Sequence, residues 1–351
     1  MLDIHKLFSE IKSSKASILL VEPYRVKYVP LGLIKLYSYF KYTNLVTVRF
    51  GKHKFEPERY GYIFISSGEF SYYKNTILDI VKFYAREYPY SHIIVGGVLA
   101  QLDNTLYEEL ANYATVINTQ IEFLDDILLD YSLYSDNPWD FIFTTRGCKM
   151  DCDFCYVKQI EPKPYVTNKW ESQIYRFSKP YIMVHDNNIC SFGEQHFVKV
   201  IRAIRDTTKL VMFDNGFDCR FWNNTFTSAL YLIKDQLGCS SVRFAFDSMN
   251  QDGKIQRAIS SVSEFIDPSN ILVYILANYS PIEETKYRAN EILKLGAYPF
   301  IQYYTPLTWD KAPLEYKGEY YNPENITLHN YYNNKAYKFM SYESYKSNQL
   351  I

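Results

Sequence analysis

Long apolar runs are missing from this 351-residue sequence. Its longest, such as residues 17–21 and 92–95, are the length of strands, which excludes a membrane-crossing helix. A charge excess of either sign is also missing. The 38 basic and 39 acidic side chains leave a net charge of −1, so bulk attraction to a polyanion is not expected. The N-terminus is charged and lacks the apolar centre of a signal peptide, and a cytosolic protein with no membrane partner is expected. No period of 20–50 residues recurs, which excludes a solenoid. Cysteine is sparse: six residues, expected to be reduced in the cytosol, so a disulfide framework is not expected.

What is present is regular alternation of strand-like and helix-like segments. In the first half, strands are predicted at 16–21, 46–50, 62–66, 92–95 and 115–118, and helices at 31–42, 73–87 and 104–113. Such alternation predicts a parallel sheet covered by helices, a Rossmann-like domain over residues 1–135. Residues 120–139, with Asp125-Asp126, Asp130 and Ser135-Asp-Asn-Pro138, read as a linker. The second half repeats the pattern, with strands at 140–144, 181–185, 211–213, 241–246, 270–276 and 299–303. Helices at 196–206, 225–236, 252–263 and 282–295 fit between them. The predicted fold class is therefore α/β: a Rossmann-like domain, then a partial (β/α)6 TIM-like barrel over 136–312. The tail, 313–351, is polar and rich in Tyr and Asn, and reads as a surface wrap. The 35 tyrosines and 23 phenylalanines are spread along the chain, as compositional drift predicts and a base-stacking surface does not.

Three of the six cysteines crowd into eight residues: Phe141-Ile-Phe-Thr-Thr-Arg-Gly-Cys148-Lys-Met-Asp-Cys152-Asp-Phe-Cys155. They follow the first strand of the second half, at the face where barrels carry their chemistry. Thiolates are the usual ligands of iron–sulfur clusters, and three would leave one iron of a [4Fe–4S] cube open. Gly147 would let the loop turn tightly. The competing reading is structural zinc. Zinc asks for a closed set of four ligands, and the sequence has no second knuckle; His185 or Cys190 would have to complete it. Cys190, Cys219 and Cys239 read as buried, inert thiols.

The C-x3-C-x2-C spacing, with Phe154 before the third cysteine, resembles the signature of radical S-adenosylmethionine (SAM) enzymes. The likeness extends over about residues 138–310. It includes Met183-Val-His-Asp186-Asn187-Asn188, Phe213-Asp-Asn-Gly-Phe-Asp-Cys-Arg220 and Val242-Arg-Phe-Ala-Phe-Asp247. It implies that Cys148, Cys152 and Cys155 hold a [4Fe–4S] cluster. SAM would chelate its open iron and be cleaved reductively to a 5′-deoxyadenosyl radical, which takes hydrogen from a substrate the sequence does not identify. Phe154 would lie at the adenine through its backbone, Asp186, Asn187 and Asn188 at the amino group, Arg220 at the carboxylate and Asp247 at the ribose. An electron donor such as flavodoxin or ferredoxin is implied. The first half is similar, at Pro30-Leu-Gly-Leu-Ile-Lys-Leu and Val95-Gly-Gly97, to cobalamin-binding domains that precede some radical SAM cores. It lacks their D-x-H-x-x-G motif; His53 sits in Gly-Lys-His-Lys-Phe. Loss of cobalamin is expected, with a cobalamin-dependent methyltransferase as the alternative. A non-catalytic SAM- or nucleic-acid-binding module is the rival of another class.

Overall fold

A computed structural model of the protein describes residues 2–25, 29–54, 59–307, 309 and 315–348. The chain forms two compact units. The first is built mainly from Met1–Asn137, with a return at Tyr156–Pro162. The second holds Pro138–Cys155, Lys163–Pro306 and the C-terminal helices. Both are α/β with parallel sheets.

In the first unit, five parallel strands run β1 (Ile18–Glu22), β2 (Val46–Phe50), β3 (Tyr62–Ser66), β4 (His92–Gly96) and β5 (Thr115–Ile117) in the order β2-β1-β3-β4-β5. Side chains alternate between faces, and each face finds its own helices. Leu19, Val21, Ile63, Ile65, Ile93 and Val95 join the core with α3 (Lys74–Glu87), α4 (Val98–Leu102) and α5 (Asn104–Ala111). Ile18, Leu20, Phe64, Ile94 and Ile117 join α1 (Ile4–Ser14) and α2 (Leu31–Phe40). Helix α1 has no counterpart among the elements expected from sequence. Asp3 caps it by accepting from the Lys6 N–H at 2.9 Å, and Phe8 and Ile11 are its buried face. The stretch read as a linker is pinned to this unit. Lys35 of α2 and Lys41, its C-cap, pair with Asp125 and Asp130, and the Tyr134 hydroxyl donates to Glu22 Oε2 at 3.0 Å.

The second unit carries six parallel strands in chain order. One sheet is β6 (Trp139–Ile142), β9 (Tyr181–Val184) and β10 (Leu210–Phe213). The other is β11 (Val242–Ala245), β12 (Ile271–Ala277) and β13 (Tyr298–Tyr303). Along the chain between β6 and β9, the hairpin strands β7 (Thr145–Arg146) and β8 (Tyr165–Val166) bracket the cysteine loop, with α6 (Val157–Ile160) returned to the first unit and α7 (Trp170–Ile174) following. At β10 and β11 the two sheets meet through isolated parallel bridges, Val211 to Leu237 and Phe217 to Phe244, with the Phe213 N–H donating to Ser241 O at 3.2 Å and the Phe217 N–H to Arg243 O at 2.7 Å. Sequential parallel strands with intervening helices α8 (Glu194–Arg205), α9 (Asn224–Tyr231), α10 (Lys254–Val262) and α11 (Ile282–Lys294) are the order of a partial (β/α) barrel.

Ile182, Val184, Val211, Phe213, Val242, Phe244, Val273, Ile275 and Ile301 pack into the helix-side core. The alternate positions face the other way, and there Arg243 bolts the seam. Its Nη1 donates to Asp214 Oδ1 and to the Tyr274 hydroxyl, both at 2.7 Å.

The tail is not a surface wrap. Helix α12 (Glu324–Asn333), followed by α13 (Tyr342–Asn348), buries Leu328, Tyr331 and Tyr332 in the helix-side core. Asn333 pairs with the free edge of β13: its Oδ1 accepts from Ile301 N–H at 2.8 Å and its Nδ2 donates to Ile301 O at 3.0 Å. That covers a strand edge that would otherwise be a pairing hazard.

Arg288 of α11 has no exposed surface. It donates to Phe246 O at 2.8 Å, Leu276 O at 2.9 Å and Ser280 Oγ at 3.0 Å, closing the strand ends of β11 and β12. Arg288→Met would leave these buried acceptors unmatched. It should destabilise the protein by about 3 kcal/mol, read as a lower urea midpoint; a wild-type midpoint would contradict this role.

Candidate metal centre

The cysteine loop leaves the C-terminal end of β6 through Thr144 and Thr145. Asp186, just past β9, holds that exit in place. Its Oδ1 accepts the Thr144 N–H at 2.6 Å and the Thr145 N–H at 2.9 Å, and Oδ2 takes the Thr144 hydroxyl in a short hydrogen bond. Asp186 is 4% exposed, and burial pushes its carboxyl up to about 6 against these hydrogen bonds. The structure thus shows Asp186 holding the loop exit from inside the protein. Thr144 Oγ1 also meets His196 Nε2 at 2.9 Å. Burial, then Lys199 and Lys149, lower His196 to about 4, so its ring is neutral at pH 7.

Gly147 turns the loop at φ 73°, in the left-handed region that favours glycine. Cys148 and Cys152 are half-buried and Cys155 is exposed. Donors face the Cys148 and Cys152 sulfurs. Asn188 Nδ2 donates to Cys148 Sγ at 3.5 Å, and the Met150 N–H reaches the same atom at 3.4 Å. The Arg220 guanidinium lies 3.7 and 3.8 Å from Cys152 Sγ.

Asp218, a residue to which the sequence assigned no role, aims both of these side chains. Its Oδ1 accepts Arg220 Nε at 2.8 Å and the Arg220 backbone N–H at 3.0 Å. Its Oδ2 accepts Arg220 Nη2 at 2.7 Å and Asn188 Nδ2 at 3.0 Å. The fork is the bidentate geometry in which a guanidinium and a carboxylate bind best. It holds Arg220 well above its ordinary pKa, the Asp218 hydrogen bond being the main cause. The spacing of Asp218 and Arg220, two residues apart on one loop, was the available signal.

Asp247, just past β11, is half-buried. Burial pushes its carboxyl up to about 6, opposed by Arg288, a backbone contact at Leu276 and Arg220. It does not cap the following helical turn, a task that falls to Ser248. Asn187 is half-buried beside Asn188. Phe154 stands edge-on to Tyr279 at 5.4 Å, and Tyr279 meets Tyr304 at 4.9 Å, so an aromatic wall borders the loop. Cys190 and Cys219 are buried, and burial raises both thiols, Cys219 to about 12; Cys239 is exposed. Cys148, Cys152 and Cys155 are the residues that could hold a metal. Among the described residues, no three His, Cys, Asp or Glu side chains are gathered closely enough to hold one as they stand.

No known protein family matches the sequence, and no curated protein does. Among solved structures, the chain is similar to that of an apo, selenomethionine-labelled cobalamin-dependent S-adenosylmethionine radical enzyme, OxsB. The identity is 12%, the TM-score 0.48, and the match covers 83% of this chain and 53% of that one. The chain therefore spans about half the length of that structure. Among the described residues, no helix is long and apolar enough to cross a membrane.

Asp186 and His196 titrate with opposite effects. A carboxyl raised from 3.8 to about 6 binds its proton more tightly in the folded state, so its contribution to stability falls as pH rises through that window. His196, lowered to about 4, contributes the reverse slope between about 4 and its ordinary 6.5. Asp186→Asn keeps the acceptor for Thr144 and Thr145 and removes only the first slope. Chemical denaturation from pH 4 to 7 should show the variant gaining on wild type as pH rises. Asp186→Ala, which strands two buried N–H groups and also lacks this titration, should be less stable than Asp186→Asn by about 1–3 kcal/mol at every pH. Parallel pH profiles for wild type and Asp186→Asn would contradict the assignment.

Proposed function

We propose that the chain is a radical SAM enzyme that holds a [4Fe–4S] cluster on Cys148, Cys152 and Cys155. The observation that carries the reading is the cysteine loop at the C-terminal end of the first barrel strand, with N–H donors from two neighbouring strand ends aimed at its sulfurs. Donors to sulfur, one of them cationic, stabilise thiolate and suit cluster ligands.

The bound cluster would supply one electron to the sulfonium of SAM, releasing the 5′-deoxyadenosyl radical that abstracts hydrogen. The protein binds and orients. Arg220, held by Asp218 on one edge and facing Cys152 with the other, keeps a cation beside the loop, which suits the SAM carboxylate. Asn188 and its neighbour Asn187 offer amides beside the loop, and Asp247 offers a half-buried carboxylate to hydroxyl donors. Phe154 and Tyr279 provide an apolar wall for a flat base. Asp186 and Asp218 act through others, holding the loop exit and the donors. The substrate is left open, as is the electron donor of flavodoxin or ferredoxin type.

Anaerobically reconstituted protein given SAM and dithionite should produce 5′-deoxyadenosine, measured by liquid chromatography and mass. Cys148→Ala, Cys152→Ala and Cys155→Ala should each abolish it. Arg220→Gln should lower the rate at least about tenfold, the equivalent of about 1.4 kcal/mol. Absence of 5′-deoxyadenosine from folded, reconstituted wild type would reject the reading.

A further inference from the structure

The strand ends of the second unit hold a histidine that the cysteine site does not use. His185 lies one residue past β9, and the backbone ladder runs on through it. Its N–H donates to Ile142 O at 2.8 Å, and the Asp214 N–H donates to Val184 O at 3.1 Å. Ile142, Val184 and Phe213 pair in register and pack into the helix-side core. The next residue of each strand, Phe143, His185 and Asp214, therefore turns to the opposite face, the face of Arg243 and Tyr274.

The ring is held on one side only. His185 Nδ1 lies 3.0 Å from Asp214 Oδ2. Phe143 and Phe141 of the first strand stand edge-on to the ring, with centroids 5.3 and 6.4 Å away. Asn215 fixes the backbone beneath it, its Nδ2 donating to His185 O and Asp186 O, both at 3.2 Å. Among the described residues, none hydrogen-bonds to Nε2, and the side chain is 33% exposed.

The charged groups behind the ring are committed to one another. Asp214 Oδ1 accepts Arg243 Nη1 at 2.7 Å, and Asp214 O accepts the same nitrogen at 3.0 Å and the Tyr274 hydroxyl at 3.1 Å. Arg243 Nε donates to Ser240 O at 3.0 Å, and its Nη2 lies 3.0 Å from Met212 Sδ. Arg243 thus balances Asp214, and the atom this cluster presents to a bound molecule is His185 Nε2. A carboxylate accepts hydrogen bonds and gives none. It fixes the hydrogen of a neutral imidazole on Nδ1 and leaves a lone pair on Nε2.

We infer that His185 is the proton acceptor of this face, with Asp214 as its positioning residue, and that it serves a substrate carrying a hydroxyl or ammonium group. In the step, the substrate O–H or N–H bond breaks and its electron pair stays on the substrate atom. The proton bonds to Nε2, and the imidazolium so formed is balanced by Asp214. That a substrate lies on this face rests on the radical SAM reading; the state of the ring does not.

The test uses the full chain without iron, carrying histidine labelled with nitrogen-15. Proton–nitrogen correlation spectra report which ring nitrogen bears hydrogen, and the His185 signals are assigned by their loss in His185→Gln. In wild type, the neutral ring should carry its hydrogen on Nδ1. In Asp214→Asn, the side-chain oxygen stays with Arg243, the amide N–H turns to Nδ1, and the ring hydrogen should move to Nε2. An Nε2–H ring in wild type, or one tautomer in both proteins, overturns the inference. Diethyl pyrocarbonate, which acylates a bare ring nitrogen, reads the acceptor itself. Wild-type His185 should be carbethoxylated at Nε2, and several-fold more slowly in Asp214→Asn, with peptide mass spectrometry locating the product. An unreactive His185, or equal rates in the two proteins, also overturns it. Neither measurement depends on iron, sulfide or SAM, so failure here is distinguishable from failure of the cluster assignment.

Discussion

The carboxylate of Asp218 is the constraint on which the cysteine site depends. Four N–H groups converge on its two oxygens, three from Arg220 and one from Asn188. A carboxylate that is 7% exposed is costly unless its acceptor sites are filled, and here they are filled by the two side chains that also reach the cysteine sulfurs. Satisfying Asp218 and aiming the donors are therefore one requirement. The three loops involved leave neighbouring strands, β6, β9 and β10, so the parallel order of the sheet brings them to one end without long connections.

A second constraint lies below that site, at the weak joint of the partial barrel. The two three-stranded sheets join at β10 and β11 by isolated bridges and a few backbone hydrogen bonds, without a continuous ladder. Arg243 of β11 spans the gap to Asp214 at the end of β10 and to Tyr274 of β12, and the Tyr274 hydroxyl donates back to Asp214 O at 3.1 Å. Burial raises the Asp214 carboxyl, but His185, with Nδ1 3.0 Å from Oδ2, and Arg243 outweigh it and hold it below its ordinary value. Charge pairing adds to the backbone hydrogen bonds that cross this seam, Phe213 N–H to Ser241 O and Phe217 N–H to Arg243 O. The same polar groups give the face of the sheet turned away from the helices a character unlike the apolar filling of a complete barrel.

Much of this was readable in the sequence where apolar period and length agreed. Val46–Phe50 and Tyr62–Ser66 are the strands their β-rich runs predict. The cysteine loop was legible because thiols are rare and closely spaced. Other features were hidden for identifiable reasons. An Asp-Asn-Asn run at a strand end says nothing of which way each side chain turns, and Asp186 turned inward to Thr144 and Thr145. The buried tail was masked by its polarity, although Leu328, Tyr331 and Tyr332 hold helical spacing with one face apolar. Helix α1 carries a cap, Asp3, and a short apolar stripe, Phe8 and Ile11, set among charged side chains that blur its period.

The central claim is that three thiols of one loop hold iron and sulfide, with one iron left for a small molecule. Metal and acid-labile sulfide analysis of protein purified without oxygen, paired with Mössbauer spectroscopy of the iron, tests this most directly. The account predicts iron and sulfide in equal amounts, with the spectrum of a [4Fe–4S] cluster that is lost when the three cysteines are replaced together. Zinc in the loop, or folded protein that takes up no metal, would contradict it.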